Sequence, residues 1–190
     1  MNVFYLHHDP KECAQMHCDS HSSKMCVEYA QLLSTAHRVI DGKLWYGRTT
    51  NGRRIARYFH PDPEMQQQLY LASHVNHPSN IWVRENASNY EWLYDMWIEL
   101  GKEYRHRYGR EHASITKLEL DLLVPPINIE QGEFTQPTPA MKSYPHCIVE
   151  GDSQTSYRNF YFEDKQSFAK WTNRAPPGWW MEKINAEQQG

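Results

Sequence analysis

The sequence predicts a mainly α-helical, compact single domain into which one β-hairpin is inserted. Two long segments carry apolar residues at every third or fourth position, which is the period of an amphipathic α-helix. Between them, residues that favour β-strands flank the dipeptide Asn51-Gly52, a sequence typical of a tight hairpin turn. A chain of 190 residues with 7 Trp and 12 Tyr has the ordinary size of one domain. It can therefore bury a core without disulfides or a structural metal.

The first long helix is predicted over about residues 20–40, after a short extended piece at Val3–Leu6 that anchors in the core. Asp19 and Ser20 are N-cap residue types, and Gly42 is a typical stop residue. The apolar positions recur at helical spacing along one face. They are Met25, Tyr29, Leu32, Leu33, Ala36, Val39 and Ile40.

The hairpin is predicted over about residues 43–59, because Pro61 and Pro63 end the β pattern. A short helix over about residues 64–73 should follow it. The second long helix is predicted over about residues 88–108, with Ser88 and Glu91 as a capping box and Gly109 at the C-cap.

The remainder of the chain is less periodic. A third helix is expected over about residues 111–123, followed by a proline-rich surface loop at about 124–151. Asp152 or Ser153 can cap a final helical pair that covers 157–171, and the tryptophans near the C-terminus should pack back on the core. The sequence thus predicts one helical domain over 1–182 and a tail at 183–190.

Composition excludes several classes of protein. The formal net charge of −3 argues against a protein that coats nucleic acid without selectivity. The start of the chain resembles no signal peptide and no apolar run reaches 18 residues, so we expect a cytoplasmic protein with no membrane partner. The four cysteines form no CxxC pair, and we expect free thiols. Cys13, His17, Cys18 and His21 are zinc-ligand types, but their spacing fits no familiar structural zinc pattern, so neither a metal nor a cofactor is expected.

The hairpin is the best candidate for a surface that faces phosphates or bases. Between Gly42 and His60 there is no acidic residue, and basic side chains alternate with aromatic ones. The candidate ligand-binding residues in it are Arg54, Arg57, Trp45 and Tyr58. The alternative is a solvated hairpin whose charges serve only solubility.

Two further groups of polar residues point to a binding or catalytic site. A polar row runs along the first long helix through His21, Lys24 and Glu28, and residues 74–85 combine two histidines with an arginine and a glutamate. Glu28, Lys24 and Glu85 are the candidate catalytic residues, since a carboxylate beside basic groups suits a general base. The candidate ligand-binding residues are His21, His74, His77 and Arg84. The alternatives are a wet helix face and an ion-pair network that joins two helices.

Four short motifs give the chain a resemblance to a known family. They are "LHHDP" near the start, the helix with Asp19, Lys24 and Glu28, "NHPS" at 76–79, and a long helix that ends in "EYRHRYG" at 103–109. Over about residues 1–112 this order resembles the phage pyrimidine-dimer DNA glycosylase superfamily. The resemblance implies a helical fold that flips bases and cleaves the glycosidic bond through a Schiff base, and it implies a viral origin.

The sequence departs from that family at its N-terminus. The resemblance implies attack by the α-amine of a small residue that is exposed when the initiator Met is removed, whereas Asn2 is bulky enough to disfavour removal of Met1. The family's helix carboxylate would correspond to Glu28. Without a small N-terminal residue, Lys24 or a water would have to act as the nucleophile.

Three functional classes therefore follow from the sequence. The first is an enzyme that acts on a nucleotide base or its glycosidic bond in DNA or a free nucleotide. The second is a non-catalytic viral protein that sequesters a nucleotide signal of host defence. The third is a structural or partner-binding protein, which would use its aromatic residues only as core and would have no ligand pocket. The sequence predicts no oligomeric state.

Overall fold

The computed structural model describes residues 1–189, which form a body of helices with one two-stranded antiparallel hairpin; the chain is 52% helical. The predicted class, mainly α with one inserted hairpin, is confirmed. None of the helices in residues 1–189 combines the length and apolar character that a membrane span requires. The elements in chain order are α1 (Pro10–Met16), α2 (Asp19–Ile40), β1 (Lys43–Arg48), β2 (Arg54–Phe59), α3 (Pro63–Gln68), α4 (Pro78–Glu85), α5 (Ala87–Tyr108), α6 (Ala113–Leu118), α7 (Ser153–Lys165) and α8 (Gly178–Gln189).

The two long helices α2 and α5 form the centre of the fold, as the apolar periodicity predicts. α5 packs along both α2 and α1, and α4 lies against α2 and α5. Leu33 and Leu93 are fully buried, and the Trp97 indole N–H donates to the carbonyl of Cys26 at 2.8 Å. The apolar stripe of each helix therefore faces the other.

The predicted ends of these helices are correct within two residues, but both predicted N-caps are wrong. Asn86 caps α5 by accepting from the backbone N–H of Asn89, while Ser88 donates to the carbonyl of Gly132. Cys18 precedes α2 and makes no side-chain cap bond. At the C-terminal end of α5, Gly109 has the left-handed φ of 68° that favours glycine.

Asp19 is the first residue of α2 and is used for tertiary contacts instead of capping. Its carboxylate accepts from the Arg107 guanidinium at 3.0 Å and from the backbone N–H of Thr172 at 2.9 Å. It therefore ties the start of α2 to the end of α5 and to the C-terminal region.

Two short helices, α1 and α4, were not among the predicted elements. In each, a capping residue precedes a proline at the first helical position: Asp9 accepts from Glu12 N–H, and His77 accepts from Ser79 N–H. The predicted helices at 64–73 and 111–123 are shorter in the structure, at Pro63–Gln68 and Ala113–Leu118.

The C-terminal third wraps the helical core. The proline-rich segment is a loop with a single 3₁₀ turn at Pro145–Cys147, and Asp152 caps α7. The final helical pair predicted over 157–171 is instead one helix, α7, which ends at Lys165. Residues 183–189, expected as a tail, continue α8, and Gly190 lies outside the described residues. Trp180 is buried, as predicted.

Candidate functional site

The extended start of the chain places the α-amine of Met1 against helix α2. The Met1 nitrogen lies 3.4 Å from Glu28 Oε2, and the Lys24 Nζ lies 3.4 Å from Glu28 Oε1. The side chains of Met1 and Glu28 are only 7% and 18% exposed, whereas that of Lys24 is 63% exposed. Glu28 thus pairs through one oxygen with the amine of Met1, whose side chain is buried, and through the other with the solvent-facing amine of Lys24.

This position of Met1 follows from the burial of the residues after it. Val3 to Leu6 are buried, and the backbone N–H of Phe4 donates to the hydroxyl of Tyr29 on α2. Tyr29 follows Glu28 directly in α2, so the contact that fixes the extended start also brings the amine to Glu28. Sequence reasoning selected Glu28 but did not select Met1 as its partner.

The segment that leads into α4 contacts the side chain of Met1. The side chain of Asn80 is fully buried, donates to the carbonyls of Ser73 and His74, and contacts the sulfur of Met1 at 3.5 Å. His74 has a φ of 49°, a left-handed conformation that is uncommon for a residue other than glycine. The two carbonyls held by Asn80 lie on either side of this backbone bend.

The charges of the Met1 amine and Glu28 also act on His77. Burial, the positive charge of the Met1 amine and His74 lower the pKa of His77, and the negative charge of Glu28 acts in the opposite direction. His77 Nδ1 accepts from Ser79 N–H at 3.2 Å, so the neutral ring carries its proton on Nε2. His77 is therefore a neutral hydrogen-bond donor near the amine and Glu28.

Several buried polar atoms in this turn have no hydrogen-bond partner among the described residues. They are the Asn80 Oδ1, the Ser73 Oγ and the Ser79 Oγ. Buried polar atoms without partners are unfavourable by roughly 1–3 kcal/mol each, and they are a common feature of sites that bind a ligand or a water. We call Met1, Glu28, Ser73, His77 and Asn80 the amine site.

His21 and Arg84 lie outside the amine site. The ring of His21 stacks on Phe4 at 4.5 Å between ring centroids and packs against Tyr161. Burial lowers the pKa of His21 to about 2, so this histidine is a neutral core residue. Arg84 donates to the carbonyl of Val75, and its other terminal nitrogen, Nη1, is buried without a partner.

Glu85 is exposed at the last residue of α4 and makes no ion pair within residues 1–189. The structure thus brings together Glu28, Lys24 and His77, with His74 in the adjoining turn. It leaves His21, Arg84 and Glu85 at other positions.

The hairpin extends from the helical body and exposes its aromatic and basic side chains. Trp45 and Tyr46 are 53% and 55% exposed. Trp45 pairs with Arg57 across the strands, and Arg54 stacks over the Tyr46 ring at 3.8 Å. Tyr58 is half-buried near the root of the hairpin.

Five surface cavities of about 310–460 Å³ are lined by residues other than those of the amine site. One lies between α5 and α6 beside Gly101 and Ile115, and another is lined by Cys147 and Glu163. These cavities therefore lie apart from the amine site, which consists of the chain start, α2 and the turn before α4.

Two groups of side chains within residues 1–189 bring three metal-ligand atoms within 4.8 Å of one another: His37 with Asp41 and His60, and His146 with Cys147 and Glu163. The Cys13, His17, Cys18 and His21 set is not such a group among these residues. All four cysteines are free.

No family model, no curated protein and no solved structure matches this chain.

Proposed function

We propose that this protein acts on a nucleotide unit of DNA, with the Met1 α-amine as the nucleophile and Glu28 as the carboxylate that moves its protons. The observation that carries the proposal is the 3.4 Å contact between the Met1 nitrogen and Glu28 Oε2, a carboxylate whose side chain is only 18% exposed. An amine activated by an adjacent base is the arrangement that covalent catalysis through a Schiff base requires.

The chemistry of the proposed step balances with these two groups. Glu28 removes a proton from the Met1 ammonium, and the neutral amine attacks C1′ of the sugar. The bond between C1′ and the base breaks, and the base leaves with the bonding electrons and takes the proton from Glu28. One of the two protons left on the nitrogen then passes to O4′ as the sugar ring opens. A protonated imine joins Met1 to C1′, and water hydrolyses it.

The other residues of the amine site supply contacts for a base or a sugar. His77 Nε2 is a donor, Asn80 Oδ1 is an acceptor, and the hydroxyl of Ser73 can serve as either, as can that of the neighbouring Ser79. These groups suit recognition of the edge of a base that has been flipped out of the stack. His77 also suits transfer of a proton to the departing base.

The hairpin supports DNA as the partner. Its exposed Trp45 and Tyr46 offer flat faces for stacking, and its arginines offer charges for phosphates. A protein with a net charge of −3 needs such a local patch in order to bind a polyanion.

The resemblance to the pyrimidine-dimer DNA glycosylase superfamily implies attack by an α-amine beside a helix carboxylate. The 3.4 Å contact between the Met1 nitrogen and Glu28 supports the same pairing of an amine with a helix carboxylate here. The nucleophiles considered from the sequence, Lys24 and water, are then unnecessary.

The test is reductive trapping with sodium borohydride, which converts an imine between protein and DNA into a stable bond. The substrates are duplexes that contain one thymine dimer, one abasic site or no lesion, and the N-terminal residue of the protein is first read by intact mass and N-terminal sequencing. We expect a trapped complex with at least one lesion duplex. Glu28→Gln should slow its formation by about 10²–10⁴, the usual contribution of general acid–base catalysis.

Two variants make the assay specific for the amine site. A Gly-Gly extension before Met1 moves the amine away from Glu28 and should abolish trapping, while Glu64→Gln, at an exposed position of α3, should leave it unchanged. Trapping that survives the extension, or that is lost with Glu85→Gln and kept with Glu28→Gln, would contradict the proposal.

A second candidate function is sequestration of a nucleotide without turnover. It is favoured by one observation: the Asn80 Oδ1 and the hydroxyls of Ser73 and Ser79 have no hydrogen-bond partner among the described residues, and such groups can hold a ligand without any covalent step. Incubation with cyclic and linear nucleotides, followed by chromatography before and after heat denaturation, separates the two functions. A nucleotide recovered intact only after heating would establish sequestration and refute catalysis on it.

A further inference from the structure

The strongest feature outside the amine site is a group of three side chains at the root of the hairpin. His37 and Asp41 lie one turn apart at the C-terminal end of α2, and His60 directly follows β2. A ring nitrogen of each histidine and a carboxylate oxygen of Asp41 lie within 4.8 Å of one another. We infer that these three residues bind one Zn²⁺ ion that fastens the hairpin to α2.

Burial distinguishes this group from an ordinary surface cluster. His37 and His60 are only 4% and 6% exposed, and His60 Nε2 is buried with no hydrogen-bond partner among the described residues. A buried imidazole nitrogen without a partner is unfavourable, and coordination to a cation removes that penalty. The atom that lacks a partner belongs to one of the three ligand residues.

The hydrogen bonds of His37 leave one ring nitrogen free for a metal. Tyr90 donates its only hydroxyl proton to the carbonyl of Leu122, so the contact of 2.8 Å between His37 Nε2 and the Tyr90 oxygen requires His37 to be the donor. The ring proton is therefore on Nε2, and Nδ1 carries a lone pair.

Zinc binding through Nε2 of His60 requires the ring proton to move from Nε2 to Nδ1. Its Nδ1 accepts from the backbone N–H of Asp62 at 3.2 Å, which places the proton of the neutral ring on Nε2. Coordination through Nε2 shifts that proton to Nδ1 and gives up this long contact. Because Asp62 is exposed, its N–H can turn to water.

Asp41 is already oriented by the loop that follows α6. Its Oδ1 accepts from the backbone and side-chain nitrogens of Asn128, and its Oδ2 accepts from Ile127 N–H at 2.8 Å. These bonds fix a carboxylate in the way that outer contacts fix the ligands of known metal sites. A metal here would join α2, the hairpin and the 127–128 loop.

The donor set selects the metal. Two imidazoles and one carboxylate suit Zn²⁺, with the fourth tetrahedral position open to water. Bonds of about 2.0–2.2 Å place tetrahedral ligand atoms roughly 3.3 Å apart. The three side chains therefore have to approach one another by at most about 1.5 Å, a shift within the range of rotamer adjustment.

The experiment measures zinc binding by the full chain, independently of any activity. Protein stripped with EDTA is dialysed against ZnCl₂ at pH 7, and bound zinc is counted by mass spectrometry of the metal. We expect the wild type to bind zinc, His60→Gln and Asp41→Asn each to bind one ion fewer per chain, and Tm to rise by about 5–10 °C at a free zinc concentration of 100 times Kd.

Cys147→Ser is the matched control because it disrupts the second possible metal group, at His146 and Glu163, and leaves the first intact. Circular dichroism verifies the fold of each variant, and long-range ¹H–¹⁵N spectra should show the Nε2 resonance of His60 shifting with zinc. The inference is overturned if the wild type binds no zinc, or if Cys147→Ser abolishes binding while His60→Gln and Asp41→Asn retain it.

Discussion

Arg38 is a buried cation whose partners are all neutral, and its replacement gives a sharp test of how the hairpin is held to the helices. The residue is only 1% exposed. Its guanidinium donates to the side-chain and backbone oxygens of Gln66 and to the carbonyls of Tyr58, Leu69 and Tyr70, at 2.6–3.1 Å. One side chain thus joins α2 to the end of β2 and to the segment after α3.

The size of the expected destabilisation follows from the hydrogen-bond acceptors that lose their donor in Arg38→Met. The carbonyl of Leu69, a residue that is 4% exposed, loses a partner that water cannot replace, while the half-buried acceptors on Tyr58, Gln66 and Tyr70 recover part of the loss from solvent. Unsatisfied buried acceptors and lost bonds to a charged donor together indicate a destabilisation of about 3–5 kcal/mol. At about 2–4 °C per kcal/mol for a domain of this size, Tm should fall by about 6–20 °C.

The assay is thermal unfolding followed by circular dichroism, with Arg57→Met as the control. Arg57 lies on β2 opposite Trp45 and makes none of the buried contacts described for Arg38. The Tm of Arg38→Lys should lie between those of Arg38→Met and Arg57→Met, because lysine keeps the charge but has all its donors on one nitrogen. A Tm for Arg38→Met within about 2 °C of wild type would refute the reasoning.

Three further predictions concern the fold and the hairpin surface that we propose binds DNA. Gly42→Ala should lower Tm, since an added Cβ would lie 2.2 Å from the carbonyl oxygen of Arg38, a backbone atom that cannot move aside; an unchanged Tm would contradict this close approach. Burial raises the pKa of Glu103, but hydrogen bonds from two arginines outweigh that effect and lower the pKa overall. The contribution of Glu103 to stability is therefore present above its ordinary pKa of 4.5 and is lost as pH falls through the lowered pKa. Urea unfolding should therefore show Glu103→Gln less stable than wild type at pH 7 and a smaller difference at pH 3.5, and a constant difference would argue against the ion pair. Trp45→Ala should weaken binding of single-stranded DNA by about 1–3 kcal/mol in fluorescence anisotropy, whereas Leu71→Ala, an exposed apolar residue outside the hairpin, should not.

The sequence predicts those parts of the fold that depend on local patterns. The apolar period places α2 and α5 within two residues, and Asn51-Gly52 locates the hairpin, because helix faces and tight turns are encoded by neighbouring residues. The predicted N-caps of α2 and α5 are wrong because several adjacent residues in each segment are able to cap a helix. Tertiary contacts decide among them, as the carboxylate of Asp19 shows.

The candidate site was only partly predictable for a related reason. Glu28 stands out because a carboxylate occupies a polar row, but its partner Met1 depends on how the extended start folds back over 27 residues of chain. His21 belongs to the same row, yet Phe4 and Tyr161 enclose it in the core. Helical spacing does not distinguish an enclosed histidine from a solvent-facing one.

The same limit applies to the metal site that we infer. His37 and Asp41 have the spacing of two ligands on one helix face, but His60 joins them only when the hairpin closes. The sequence does show a histidine directly after the second strand. Because a hairpin brings the end of its second strand next to the start of its first, this histidine is expected to lie near the end of α2. That signal is too weak on its own to indicate zinc.

The most direct test of the proposed function is to locate the bond that borohydride traps between the protein and a lesion-containing DNA. The complex is digested with a protease and a nuclease, and the peptide that carries the sugar remnant is sequenced by tandem mass spectrometry. We predict that the remnant is attached to the α-nitrogen of Met1, the amine that lies 3.4 Å from Glu28. A remnant on Lys24 or on any other side chain, or the absence of any trapped complex with all lesion duplexes, would contradict it.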